Sequence, residues 1–448
     1  MTMALTDLTA AMLTAARAAG ADAADAIAIR STSISVEVRG GKLDEAQRAE
    51  GIDLGLRVFI GQCSAIVSSS DQRPATLARM AERAVAMARE APPDPTQGLA
   101  DPGQLGTLRD YAALDLCDPG PEPDAASLQQ AALTAEAAAM AVPGVTQMES
   151  SGAGHGRYNV ALAATNGLSV DYSRTDFGLS ATAISGTGTG MERDYDYDSR
   201  LHRADLRDAQ DIGRSAGMRA AAMQGARRPA TGTYPVLFDE RVAASLIGHL
   251  LGAINGSAIA RGSSWLRGAM GQQVLPAALS LTEDPHLPRR NASRWLDAEG
   301  LPTQRRQIVA DGVLTTWTLD LATGRKLGLA STANAARSAG SAPSPSVTNI
   351  ALTQGTASKA DLLGQMGTGL LVTQMIGSTI NPNTGDYSRG AAGFWVEQGQ
   401  ITHPVNEITI AGNLRDMLGR IVPANDARTH LGRVVPSLLI DAMVIAGG

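Results

Sequence analysis

Two hydrophobic periods alternate along the first part of this chain. Leu5–Ala19 spaces its apolar residues as a helix does, with Thr6 and Asp7 supplying polarity at its start. Ala26–Arg39 (AIAIRSTSISVEVR) then switches to a period of two, which predicts a strand ended by Gly40-Gly41. Gly51–Phe59 and Cys63–Ser69 flank Ile60-Gly61-Gln62 and predict a hairpin. Arg73–Glu90 is alanine-rich with Arg and Glu outside, a second helix. The first unit is therefore helix, three or four strands, helix.

Ala91–Gly106 and Asp118–Asp124 are Pro/Gly-rich and suit neither helix nor strand. Ala125–Ala141 and Asp208–Gly225 predict helices. Between them Val145–Ser151, Arg157–Ala164, Leu168–Tyr172 and Gly178–Ser185 predict strands, with a hairpin at Thr165-Asn166-Gly167. A boundary falls at Arg227–Gly232. Tyr234–Phe238 predicts a strand, and Glu240–Asn255 a helix with Val242, Leu246, Leu250 and Ile254 on one face. Short strands follow, among them Leu370–Ile376, Ala391–Glu397, Val405–Ile410 and Ser437–Ile445. The expected fold class is α+β, with an N-terminal strand–helix part and a β-rich C-terminal domain. The expected divisions are 1–90, a linker over 91–124, 125–230 and 231–448.

Composition narrows the function. At 448 residues the chain has room for two or three domains. Aromatic residues make up 3%, so the interior must rest on Ala, Val, Leu, Ile and 15 Met. A net charge of −6 offers no basic surface for phosphate neutralisation, so direct nucleic-acid binding is not expected. Arg289, Arg290, Arg294, Arg305 and Arg306 come nearest to a basic patch, and read as the solvated rim of a hairpin. Cys63 and Cys117 lie far apart, which is no disulfide framework and suits a reducing cytoplasm. The N-terminal segment reads as an amphipathic helix, not a signal peptide, and no apolar run has membrane-spanning length. A cytoplasmic protein without membrane contact is expected.

The candidate chemistry is thin. None of the six histidines pairs with another at helical spacing, and there is no His-Glu-x-x-His or Cys-x-x-Cys. His249 shares its helix face with Ser245, Gly252 and Ala253, so it reads as a packed or interface histidine. Gly213-Arg214-Ser215-Ala216-Gly217 matches a nucleophile elbow but lies inside a predicted helix, where that turn cannot form. Gly186–Gly190 and Gly152–Gly156 open no helix after a strand and read as flexible loops. Met191–Ser199 carries Glu192, Asp194, Asp196 and Asp198 but lacks the glycine and terminal glutamate of a calcium loop; it reads as a solvated loop. The densest run of unusual choices is Gly377–Leu414. There a polar loop, Ile380–Arg389, precedes a strand pair turning at Gln398-Gly399. Asp386 and Glu407 within it could act as acid and base, or be two solvated carboxylates.

The run Asn383–Trp395, with Glu397, Gly399, Pro404-Val405, Glu407 and Thr409–Leu414, resembles the signature of the TldD/PmbA family, in its PmbA (TldE) branch. Pro343–Ile350 and Pro436–Ile440 extend the resemblance, which spans essentially the whole chain. It implies a two-subunit cytosolic metallopeptidase, of a family linked to peptide-antibiotic maturation, antitoxin degradation and gyrase modulation. In that picture a TldD-like partner carries zinc on His-Glu-x-x-x-His and a later cysteine. The family's zinc helix corresponds here to Glu240–Asn255, and its motif to Ile247–Gly252. Both ligand histidines are absent, Gly248 stands for the catalytic glutamate, and no cysteine lies in the C-terminal half.

The resemblance therefore implies a non-catalytic subunit with no cofactor of its own, zinc in the partner, an unfolded peptide as substrate, and a homodimer as a state of the chain alone. The candidate peptide or partner surface is Asn383, Thr384, Asp386, Arg389, Glu407 and Asn413, with peptide held extended by strand pairing. Two rival expectations are a non-proteolytic regulator, for example of gyrase, and an independent hydrolase using Asp386 and Glu407.

Overall fold

The computed structural model describes residues 3–108 and 110–447. Its N-terminal half runs α1 (Leu5–Ala18), β1 (Ala23–Arg39), β2 (Lys42–Ile60), β3 (Cys63–Ser69), α2 (Pro74–Glu90), the single turn α3 (Tyr111–Leu114) and α4 (Ala125–Met140). It continues with β4 (Val145–Ala164), β5 (Ser169–Ser185), β6 (Glu192–Arg200) and α5 (Ala209–Ala222). The six strands form one antiparallel sheet in the order β3-β2-β1-β4-β5-β6. Strands from residues 23–69 and 145–200 thus share a single sheet.

Residue parity along β1 explains the layers. Ala24, Ala26 and Ala28 pack with Leu54, Leu56 and Val58 under α1 and α2. Farther along, Ile34, Val36 and Val38 pack under α4 and α5. All six are even positions, so one face of the sheet carries all four helices. The odd positions divide. Ile27 and Ile29 meet Leu296 and Ala339 of the C-terminal half, whereas Ser33 and Ser35 are exposed.

Three sequence expectations change here. β4 is one continuous strand, so Gly152–Gly156 is sheet and not a flexible loop. β2 begins at Lys42, with a first half that is exposed on both faces and so shows no apolar alternation. Met191–Ser199 forms most of an edge strand, not a solvated loop: Asp194, Asp196 and Asp198 are buried.

The C-terminal half begins with β7 (Gly232–Phe238), α6 (Glu240–Ala253) and α7 (Gly256–Arg261). Then come β8 (Leu281–Glu283), β9 (Arg306–Ala310), β10 (Val313–Leu314), α8 (Leu321–Leu327), β11 (Ala335–Ala336), β12 (Ser344–Pro345), β13 (Ile350–Leu352) and α9 (Lys359–Met366). The last run is β14 (Gly369–Ile380), β15 (Asp386–Glu397), β16 (Gln400–Asn413), α10 (Leu414–Leu418), β17 (Val422–Pro423), β18 (Arg433–Val434) and β19 (Leu438–Ala446). β16 pairs with both β15 and β19, which closes β16-β15-β14-β7-β19 into a small barrel. Val236, Phe238, Leu370, Val372, Leu438 and Ile440 pack in the same core as Leu246, Ile247 and Leu250 of α6. The intervening residues Leu237, Leu371 and Leu439 pack with Leu362 and Met366 of α9. Each strand is apolar on both faces because both are covered.

The halves are fastened by charge and by close approach. Asp25 on β1 is buried with Arg57 of β2 and with Arg337 of the C-terminal half, itself 1% exposed. Burial alone would push the Asp25 carboxyl up; the two guanidinium groups outweigh it and hold it low. Gly55 on β2 meets the backbone of Ala339, where a Cβ would come within 2.0 Å of its carbonyl oxygen. The 91–124 segment is tied down as well: Arg325 donates to the carbonyls of Thr96, Gly98 and Leu99. Of the arginines expected on a solvated hairpin rim, Arg289 bonds across this junction, whereas Arg306 and Arg294 bond within the C-terminal half. Arg289 pairs with Asp115 and Asp205, Arg306 with buried Glu283, and Arg294 donates to the carbonyls of Ala335 and Ser346.

Candidate functional site

The polar residues of the loop before β15 bond to one another and to Asn413 at the end of β16. Asn381 accepts from the backbone N–H of Asn383 at 3.0 Å, an Asx turn. Thr384 donates to Asp386 at 2.6 Å, and Asn413 donates to both the Thr384 carbonyl and Asp386. These two donors hold the Asp386 carboxyl below its usual range. Asn413 also caps α10, accepting from Arg415. Asn383, Thr384, Asp386 and Asn413 therefore form one closed loop, and the Pro382 carbonyl accepts from the backbone of Trp265.

Glu407 stands apart from this loop. It sits at a bulge of β16 opposite Ala391–Gly393, while Asp386 pairs with Asn413 at the strand's end. That separation is roughly 20 Å along β15, at about 3.3 Å per residue. Glu407 is ion-paired to Arg228. Asp386 and Glu407 cannot serve one reacting atom, so the expectation of an independent hydrolase built on that pair fails.

Arg389 points elsewhere. It donates to the Gly377 carbonyl at 2.7 Å and lines a cavity of about 480 Å³ with Arg193, Tyr195, Arg241, Ser245 and Gln374. This cavity belongs to a cleft between β6 and α6. A second cavity, about 650 Å³, shares Arg241 with it and includes Tyr172, Arg174, Tyr197, Arg294 and Arg433. A third, about 490 Å³, shares Tyr197 with the second. Its floor is the uncovered face of the N-terminal sheet, where Ser35, Gly154, Gly178 and Ser199 stand side by side across four strands. Tyr195 and Tyr197 stack beside it with ring centroids 6.1 Å apart. A larger hollow of about 1040 Å³ lies outside α4, lined chiefly by small and apolar residues, and shares no residue with the cleft.

The free edge of β6 is blunted. The N–H groups of Tyr195 and Tyr197 donate to the preceding Asp194 and Asp196 side chains. The Tyr195 carbonyl accepts from Arg219 and Arg241, and that of Arg193 from Gln374. A peptide strand finds few vacant groups there. Asp194 and Asp196 are in turn ion-paired, to Arg241 at 3.0 Å and to Arg207 and Arg219 at 2.9 Å.

α6, at the zinc-helix position, lacks metal-binding chemistry among its described residues. Ile247 is buried in the apolar core. Gly248 faces Arg433, whose Nη1 would lie 3.3 Å from an added Cβ, and an added Cβ at Gly252 would meet nothing within 4 Å. His249 packs edge-on to Tyr387, and its Nε2 has no partner among the described residues. Burial first, then the charge of Arg389, lowers its imidazole to about 4. Among the described residues no three His, Cys, Asp or Glu side chains are grouped to hold a metal ion. These residues do not fit zinc.

Models of three consecutive PmbA/TldA metallopeptidase domains match the chain: domain 1 over 24–88, the central domain over 118–224 and the C-terminal domain over 231–447. Metalloprotease PmbA of Escherichia coli O157:H7 is 37% identical over 95% of this chain and 92% of its own length. The chain belongs to the PmbA/TldD family, in its PmbA branch. A PmbA homolog of Haemophilus influenzae is 35% identical over 96% of this chain and 93% of its own length. Among solved structures, a putative modulator of DNA gyrase from Bacteroides thetaiotaomicron superposes with a TM-score of 0.90 at 26% identity, covering 99% of this chain and 98% of that one. TldE of Thermococcus kodakarensis has the same fold, with a TM-score of 0.85 at 19% identity, covering 98% of this chain and 100% of that one. Both agree with an α+β chain whose C-terminal part is β-rich. Among the described residues no helix is long and apolar enough to cross a membrane.

The cleft itself was invisible to the sequence reading. Tyr195, Tyr197, Arg174, Arg294 and Arg433 come from distant segments. The one signal available was the Asp-Tyr alternation of 194–198, a strand period written in polar residues.

Proposed function

We propose that this PmbA/TldD-family chain is the non-catalytic subunit of a cytosolic two-subunit zinc peptidase. A TldD-like partner supplies the zinc, and the cleft between β6 and α6 receives an unfolded segment of the substrate peptide. The observation that carries this reading is the α6 surface. α6 carries Ile247, Gly248 and Gly252 at the positions where the family's zinc helix needs two ligands and a carboxylate: Ile247 is buried in the core and Gly248 lies beside Arg433, which lines the cleft. Zinc hydrolysis needs a metal to acidify water and a base to take the proton. A guanidinium beside Gly248 favours neither. The blunted edge of β6 directs the peptide onto the Gly/Ser face and its tyrosine border. The 381–413 stretch supplies β15 and β16 of the barrel, and its outer surface is offered to the partner.

The test is reconstitution. The purified chain alone should bind well under one equivalent of zinc and cleave no unfolded peptide, and adding a TldD-like subunit should give a complex that cleaves. Stoichiometric zinc in the chain alone, or peptidase activity of the chain alone, overturns the proposal. Capture of gyrase by the chain without a TldD-like subunit would instead favour a non-proteolytic regulatory role.

A further inference from the structure

The 650 Å³ part of the cleft has an unusual lining. Arg174, Arg241, Arg294, Arg428 and Arg433 converge on it, and Glu240 is its only acidic lining residue among those described. The arginines come from five places: β5, the start of α6, the loop before β9, the segment before β18, and β18 itself. No single surface patch would bring them together.

Their partners separate them into two sets. Arg241 is balanced by Asp194, and Arg428 by Glu240 at 2.6 Å. The other three form no ion pair among the described residues, although Asp176 and Asp297 feel the charges of Arg174 and Arg294 through space. Arg174 donates to the Asn291 carbonyl, and Arg294 to the carbonyls of Ala335 and Ser346. Neutral carbonyls, not carboxylates, accept the hydrogen bonds that fix these two side chains in place. Arg433 makes no side-chain hydrogen bond or ion pair among the described residues, and its guanidinium lies over Gly248 of α6. Guanidinium groups stay protonated at any physiological pH. Three guanidinium groups without an ion-pair partner among the described residues thus share one concave site in a protein whose net charge is −6. Low-dielectric walls focus such a field on whatever enters.

We propose that this cavity is a carboxylate-binding subsite, selecting peptides that present an acidic side chain or a free C-terminal carboxylate. The proposal rests on the cleft receiving peptide. Guanidinium forks match carboxylate geometry with paired N–H donors. The volume suits a few side chains and no duplex. The neighbouring Gly/Ser cavity, joined through Tyr197, carries Glu37 and Glu45. A polyanion laid along the cleft would meet those carboxylates. A peptide with a single acidic group would not.

The test uses the intact chain and fluorescence anisotropy. The probes are labelled unstructured ten-residue peptides that differ only in Asp against Asn at one position, each with a free or an amidated C-terminus, and a single-stranded ten-nucleotide DNA. The Asp peptide should bind at least tenfold tighter than its amidated Asn counterpart, with the advantage shrinking as salt rises. Comparing the Asp-amide and Asn-acid peptides tells side chain from C-terminus as the source. Arg433→Gln combined with Arg174→Gln should bring the acidic peptide down to the neutral peptide's affinity, and Arg433→Lys should keep part of the preference. Thermal melts of each variant establish that it is folded. Equal affinity for acidic and neutral peptides overturns the subsite, as does tighter binding of the oligonucleotide, or no binding of any peptide. Cleavage by the reconstituted complex is read separately, so the subsite can fail while the subunit role stands.

Discussion

Glu299 is buried, and burial together with nearby Asp297 pushes its carboxyl up to about 8. At neutral pH the folded chain therefore holds a proton that the unfolded chain releases near pH 4.5. A folded-state value above the unfolded one gives stability that is fully present below the unfolded pKa. That stability is lost as pH rises through the folded one. Between about pH 5 and pH 8 the slope is up to about 1.4 kcal/mol per pH unit. Denaturant melts at pH 5.5, 7 and 8.5 should thus show a falling contribution that Glu299→Gln removes, and an unchanged slope in that variant would refute the assignment. Gly248 makes a second prediction at this scale. Gly248→Glu should place a carboxylate beside Arg433 and pair with it, yet leave the zinc content of the isolated chain unchanged, because Ile247 and Gly252 still offer no ligand. Zinc bound stoichiometrically by that variant would mean that the α6 surface is closer to a metal site than its side chains indicate.

β6 shows what was legible at the scale of elements. The barrel strands could be read because their apolar residues occur in strand-length runs between turns. β6 could not, because its buried face is Asp194, Asp196 and Asp198, whose burial is made tolerable by arginines from α5, α6 and the following loop. Gly152–Gly156 failed for a related reason: on the open sheet face there is no core to demand apolar side chains. Such partners are set by tertiary placement, which local periodicity does not carry. The loop glycines around Asp386 and the strand pair after it were recognisable in sequence, but the distance from Asp386 to Glu407 needed the register. Asp194→Ala with Asp196→Ala should strip the carboxylate partners from Arg207 and Arg219, leave Arg241 with Asp239 alone, and free two edge N–H groups. A loss of at least about 3 kcal/mol follows from breaking buried pairs, with self-association through the bared edge. Chemical denaturation and light scattering measure the two effects independently. α5 gives a complementary case. Its Gly213 and Gly217 belong to the apparent nucleophile elbow, yet they are where α5 meets α4: a Cβ on Gly213 would come within 1.9 Å of the Ala135 carbonyl oxygen. Gly213→Ala should lower stability by about 1–3 kcal/mol despite alanine's better helix propensity, while Ser215→Ala should leave any peptidase activity of the complex intact.

At the scale of the whole molecule, the cleft exists only because the two halves are held at a fixed angle. Apolar contacts of Ile27 and Ile29 with Leu296 and Ala339, and the pairing of Arg289 with Asp115 and Asp205, help to set that angle. Asp25, Arg57 and Arg337 form one buried ionic cluster, and Gly55 against Ala339 is a close backbone contact beside it on the same strand pair. On the far side, Asn406 donates to Glu192 and Gln374 to the Arg193 carbonyl, tying the barrel to β6. The ionic cluster matters most because its members are nearly inaccessible. Removing Arg337 leaves Asp25 buried with Arg57 alone, and breaking a buried pair by deleting one partner costs about 3–5 kcal/mol. The cost falls on the junction and not on either core. Arg337→Ala should therefore do more than lower the melting temperature. Calorimetry should resolve the single transition into two, and hydrogen exchange should rise in β1 and β2 around Asp25 and Arg57 while the barrel strands keep their protection. Peptide affinity should fall with it, since Arg174 and Tyr197 lie on one half and Arg433 and Arg241 on the other. A variant that melts in one step, with protection unchanged at β1 and β2, would place the junction's stability elsewhere.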